Sequence, residues 1–83
     1  MGVELTKEED YVVAAVAYER FDVATMQEAK ESFEEILESN SRIVIDMSQV
    51  SFVDSSGVSV LIGVLKRVNA KENGMLKLCG LTE

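Results

Sequence analysis

The chain contains no histidine, no proline, no tryptophan and one cysteine in 83 residues. Without histidine there is no Ser-His-Asp triad and no histidine-ligated metal site. The lone Cys79 rules out an internal disulfide and a CxxC metal or redox pair, and it reads as a structural thiol in a reducing compartment. Neither GxxxxGK[ST] nor a GxGxxG following a strand is present, so the usual phosphate-cradling loops are missing, and no cofactor-binding pattern takes their place. Lys66 and Lys71 lie two or more helical turns beyond Ser56, too far to activate it as a nucleophile, and the sequence is not read as an enzyme. Basic residues are scarce: 8 against 15 acidic, a net charge of −7. That balance argues against nucleic acid or an anionic membrane as a direct partner. No apolar run reaches the length of a membrane span, and the start Met1-Gly2-Val3-Glu4 lacks the layout of a signal peptide, which together suggest a cytoplasmic protein.

With 47% hydrophobic and 28% charged residues, the sequence is that of one small globular domain, residues 1–83. Val3 and Leu5 alternate with polar neighbours, and Lys7-Glu8-Glu9-Asp10 forms a charged turn. The β-branched run from Tyr11 to Ala17 follows, so a hairpin is predicted. Met26, Ala29, Phe33, Ile36 and Leu37 then share one helical face, opposite five glutamates. Thr25 and Glu28 have the spacing of a capping box, and Asn40 marks a stop. Arg42 to Asp46 is predicted as a strand, Ser56 to about Asn73 as a helix, and Met75 to Cys79 as a strand, with Gly74 supplying positive φ at the helix end. This β-β-α-β-α-β order implies an α/β fold: a mixed sheet with right-handed βαβ crossovers.

Loops at the carboxyl ends of parallel strands gather on one edge, where function usually sits in such sheets. Asp54-Ser55-Ser56-Gly57 lies there, opening an apolar helix, and Glu19 to Asp22 lies there too. Unpaired N–H groups and the dipole at a helix N-terminus suit a hydroxyl that becomes a phosphate. Gly57 suggests close approach by another backbone. Val58, Leu61, Ile62, Leu65 and Val68 form the expected core stripe of this helix. Ser56, Val60 and Val64, with Gly63 alongside, form a second row, which reads as a docking face or, alternatively, as a row buried under other structure. Asp46 and Asp54 are read as caps of loop N–H groups, with a shared Mg²⁺ as the alternative.

The stretch from Ile43 to Val58, continued through Lys66-Arg67, Gly74 and the strand Met75 to Leu78, closely resembles the signature of the STAS domain of bacterial anti-sigma factor antagonists. The resemblance implies the STAS fold and phosphorylation at Ser56, with Ser55 the lesser candidate. It implies as partners an anti-sigma factor with serine kinase activity, bound by the dephosphorylated protein so that sigma factor is released, and a serine phosphatase that resets the switch. Asp22, Asp54, Ser55, Ser56, Gly57, Val60, Gly63 and Val64 are the expected partner-binding residues. A STAS scaffold or transporter-accessory module that is never phosphorylated is the alternative. Two departures from the family pattern matter. Glu19-Arg20-Phe21-Asp22 stands where members usually carry Gly-x-Leu-Asp, and the sequence ends at Leu81-Thr82-Glu83, short of the expected closing elements. The shortened side is expected to expose apolar surface and an unpaired edge, giving a destabilised monomer or a homodimer.

Overall fold

A computed structural model describes residues 2–80. The hairpin forms as the alternation predicts: β1 (Val3–Lys7) pairs antiparallel with β2 (Val12–Val16), and Glu8 N–H donates to Tyr11 C=O across the turn. After a two-residue strand β3 (Arg20–Phe21) comes α1 (Met26–Ser39), then β4 (Arg42–Asp46), a second two-residue strand β5 (Phe52–Val53), α2 (Ser55–Asn69) and β6 (Met75–Cys79). The main sheet has the order β1-β2-β4-β6, with β2, β4 and β6 mutually parallel. This is the predicted mixed α/β architecture.

Both crossovers, β2-α1-β4 and β4-α2-β6, step the same way across the sheet, and right-handed connections then place both helices on one face. Alternation marks that face. Val12, Ala14 and Val16 of β2 and Ile43 and Ile45 of β4 are buried, while the residues between them are half-buried. Ala29, Phe33, Ile36 and Leu37 of α1 meet them there, all as predicted from the 3.6-residue period.

Helix α2 follows its predicted stripe only at Val68 and, in part, at Leu61, which packs against the core. Gly57, Val60, Val64 and Val68 are its buried row, whereas Val58, Ile62 and Leu65 are exposed and Leu61 is half-buried. The row expected to be a docking face is therefore the core-facing row. An all-round apolar helix carries no periodicity to choose between its faces, and contact with α1 selects the narrower valine side.

Three local expectations are also corrected. The Thr25–Glu28 capping box is absent: Thr25 Oγ1 accepts from Asp22 N–H and donates to Arg20 C=O, and Glu28 instead accepts from the Tyr18 hydroxyl. Asn40 does cap the end of α1, its side-chain amide donating to Ile36 C=O. Helix α2 ends at Asn69, and it is Asn73 that takes positive φ, at 62°. Gly74 is required for space, since a Cβ there would lie 2.0 Å from Val68 C=O. Among the described residues, no helix is long and apolar enough to cross a membrane.

Candidate functional site

Two loops leave the carboxyl edge of the sheet side by side and join each other. Ser51 and Phe52 N–H both donate to Glu19 C=O, the Ser51 hydroxyl donates to the same oxygen, and Asp54 N–H donates to Phe21 C=O. The result is a parallel two-stranded ribbon, β3 with β5, seated on the first turn of α2. Phe21 is its fully buried plug and stacks on Tyr18 with ring centroids 6.2 Å apart. Sequence reasoning missed this ribbon, because two-residue strands carry no period.

Gly57 explains how the ribbon comes so close. A Cβ on Gly57 would stand 2.4 Å from Phe21 C=O and 2.9 Å from Val53 Cγ1. The close backbone that Gly57 admits belongs to this chain's own β3. Asp22, the residue after Phe21, is thereby carried to the edge where α2 begins.

Asp54 is the N-cap of α2. Its Oδ1 accepts from Ser56 N–H at 2.8 Å and from Gly57 N–H at 3.2 Å, and Val58 N–H donates to its backbone carbonyl. Two of the N–H groups expected to face outward, those of Ser56 and Gly57, are thus already taken by a carboxylate. Ser55 is exposed and Ser56 half-buried, so both residues reach the surface at this turn. Asp22 ties the neighbouring loop: Oδ1 accepts from Ala24 N–H, and its backbone carbonyl accepts from Thr25 and Met26 N–H.

The other sequence-predicted residues separate from this group. Val60 and Val64 are buried in the core and offer no face to a partner. Gly63 is exposed further along α2 on its α1-facing side, in a groove of about 310 Å³ shared with Lys30, Phe33 and Arg67. Asp46, at the end of β4, accepts from Ser48 N–H, which holds its carboxyl below the usual range. Asp46 and Asp54 both cap backbone N–H groups, the reading preferred over a shared Mg²⁺, and among the described residues no three acidic or cysteine side chains cluster to hold a metal.

Two unanticipated residues flank the serines. The Arg20 guanidinium lies 4.1 Å from the centroid of the Phe52 ring, and its Nε sits 3.3 Å from Asp22 Oδ2. Phe52, Val53 and Val23 are exposed around them. The departure of Glu19-Arg20 from the family pattern was the available signal; the ribbon register that stacks Arg20 on Phe52 was not legible. The site is an acidic, partly apolar rim around the two serines.

Comparison with known proteins agrees with this fold. The STAS domain profile matches residues 4–83. A STAS-domain anti-sigma factor antagonist protein from Planctomyces limnophilus superposes with a TM-score of 0.86 at 20% identity, covering 96% of this chain and 72% of that one. An anti-sigma factor antagonist from Mycobacterium paratuberculosis gives 0.81 at 18% identity, covering 92% and 63%. The Bacillus cell fate determinant SpoIIAA, in its phosphorylated form, gives 0.70 at 19% identity, covering 89% and 68%. The chain thus spans about two-thirds of the length of these structures, and only 63% of the mycobacterial protein.

Proposed function

Because this chain belongs to the STAS domain family, we propose that it acts in the cytoplasm as an anti-sigma factor antagonist switched by phosphorylation of Ser56. In its dephosphorylated form it binds an anti-sigma factor that is also a serine kinase, and sigma factor is released. A serine phosphatase restores that form. The observation that carries this reading is the first turn of α2: Ser55 and Ser56 at the surface, fixed by the Asp54 cap and by the ribbon that carries Asp22. A protein of the same fold, SpoIIAA, has been solved in a phosphorylated form, so the fold tolerates a phosphate. The docking rim is Asp22, Asp54, Ser55 and Ser56, joined by the exposed Phe52 and Val53; Gly57, expected to bind the partner, is instead buried beneath the ribbon and offers no face to one.

The energetics favour a switch of the surface. Phosphorylation adds about −1.5 to −2 charges. A partner carboxylate about 5 Å away is then repelled by roughly 5–7 kcal/mol at an effective dielectric of 20, before salt screening. Even a residual 3 kcal/mol weakens binding about a hundredfold.

One observation favours the second reading, a STAS scaffold or transporter-accessory module that carries no phosphate. The Asp54 carboxylate already occupies the N–H groups of Ser56 and Gly57 that would otherwise stabilise a phosphate. Mass spectrometry after incubation with ATP and anti-sigma kinases of the source organism separates the two. Phosphate on Ser56, with a Ser56→Asp variant that binds the anti-sigma factor about a hundredfold more weakly, supports the switch. An unmodified Ser56 together with equal binding by Ser56→Asp supports the scaffold.

A further inference from the structure

Helices α1 and α2 pack against each other, and the groove of about 310 Å³ runs between them. Both of its walls lie between Met26 and Arg67, so it owes nothing to where the sequence ends. Its floor is apolar: Phe33, Leu37, Val60 and Val64 line it and are buried. A volume of this size falls at the lower end of small-molecule sites. It has room for a guest of about ten non-hydrogen atoms at ~30 Å³ each.

Gly63 holds the groove open. An added Cβ at Gly57 or Gly74 would meet the chain's own backbone, at 2.4 Å and 2.0 Å, whereas nothing lies within 4 Å of one at Gly63. Glycine weakens the middle of a helix, and no contact within the chain requires it at this position. Ser59 and Gly63, one turn apart, keep the α2 wall low and leave the space above the buried valines free.

The rim is cationic in an acidic chain. Helix α1 carries five glutamates and one lysine, and that lysine, Lys30, stands at the groove. Arg67 faces it from α2. Among the described residues the one ion pair joins Arg20 to Asp22, so neither Lys30 nor Arg67 is paired. Glu34 is the acidic residue of the rim. Two cations and one carboxylate leave the groove an excess positive charge, against −7 for the whole chain.

We propose that this groove binds a small apolar carboxylate, a molecule with one ionised head and a hydrocarbon body of roughly seven or eight carbons. The body displaces water from Phe33, Val60 and Val64 and comes closest to the helix backbone above Gly63. Arg67, whose planar fork matches a carboxylate, holds the head, and Lys30 adds a second positive charge. A single negative charge balances this rim, and Glu34 repels a second one. The site does not rest on the reading of Ser56 as a switch.

Octanoate, which matches this size, is the probe, titrated into the 83-residue chain and followed by amide NMR and calorimetry. Expected is saturable binding with a dissociation constant of about 0.1–1 mM, the range for so small a ligand. The shifts centre on the amides of Lys30, Phe33, Ser59 and Gly63. Octylammonium, with the wrong charge, and acetate, with no apolar body, each bind at least about tenfold more weakly. Arg67→Gln weakens octanoate by about tenfold or more. Gly63→Leu fills the groove from an open position and abolishes binding with unchanged circular dichroism. Failure to saturate by about 10 mM octanoate overturns the proposal. So do octylammonium binding as tightly as octanoate, indifference to both substitutions, or shifts centred on the exposed Val58, Ile62 and Leu65 instead of the groove.

Discussion

Gly57→Ala and Gly63→Ala place the same methyl group in the same helix two turns apart, and the structure gives them opposite signs. At Gly57 the new carbon would stand 2.4 Å from Phe21 C=O, and that atom is backbone, so it cannot rotate aside. Relief requires the β3–β5 ribbon to rise from α2. Overpacking of this kind costs about 1–3 kcal/mol, and weakening the 3.3 Å bond from Asp54 N–H to Phe21 C=O adds about 0.5–1 kcal/mol. The gain in helix propensity returns at most about 1 kcal/mol. A net loss of roughly 2 kcal/mol lowers the melting temperature by about 8–16 °C for a domain of this size. At Gly63 nothing lies within 4 Å of the added carbon, so only the propensity remains, and a gain of about 0.5–1 kcal/mol is expected. Urea and thermal unfolding of the two variants measure both. If Gly57→Ala were as stable as wild type, the ribbon would not rest on α2 as described, and the placement of Asp22 beside the serines would fall with it.

Ile45 is fully buried in the central strand, and Ile45→Ala should cost about 2–5 kcal/mol in urea unfolding, enough to unfold much of so small a domain. Asp54→Ala removes the cap that holds Ser56 and Gly57 N–H and should cost about 1 kcal/mol in the same assay, with faster exchange of those two amides. Tyr18 has its phenol pKa raised, first by burial and then by its hydrogen bond to Glu28. A raised pKa means the neutral phenol is favoured in the folded state. That stability is complete below the free phenol value of about 10 and is lost as pH climbs above it toward the folded value. Tyr18→Phe should therefore flatten the stability profile above about pH 10, read by thermal melts from pH 8 to 11.

The residues that made the fold legible were those with a period. The 3.6-residue spacing from Met26 to Leu37 has one solution, and the structure adopts it, whereas Val12 to Val16 was legible as a strand from its β-branched apolar run and shows which side faces the helices only in the structure. Helix α2 has leucine, isoleucine or valine on nearly every side, so its pattern admitted two faces and the wider one was chosen wrongly. The site was half legible. Asp54 as N-cap and the two serines at the helix start follow from local chemistry alone. The β3–β5 ribbon, Arg20 over Phe52 and the true reason for Gly57 depend on contacts between segments more than thirty residues apart, which no local spacing encodes.

The Asp54 cap changes where the consequence of a phosphate would be felt. A helix N-terminus with free N–H groups would absorb part of the added charge locally, by ~0.3–1 kcal/mol. Here Oδ1 of Asp54 already holds two of those groups, and Arg20, the cation at this edge, is tied to Asp22. A phosphate on Ser56 therefore meets a carboxylate close by, in a chain that already carries −7. Little at this edge neutralises the new charge, so it is presented to whatever docks there. The cap that most weakens the case for a bound phosphate is thus also the feature that would make a covalent one effective against an acidic partner surface.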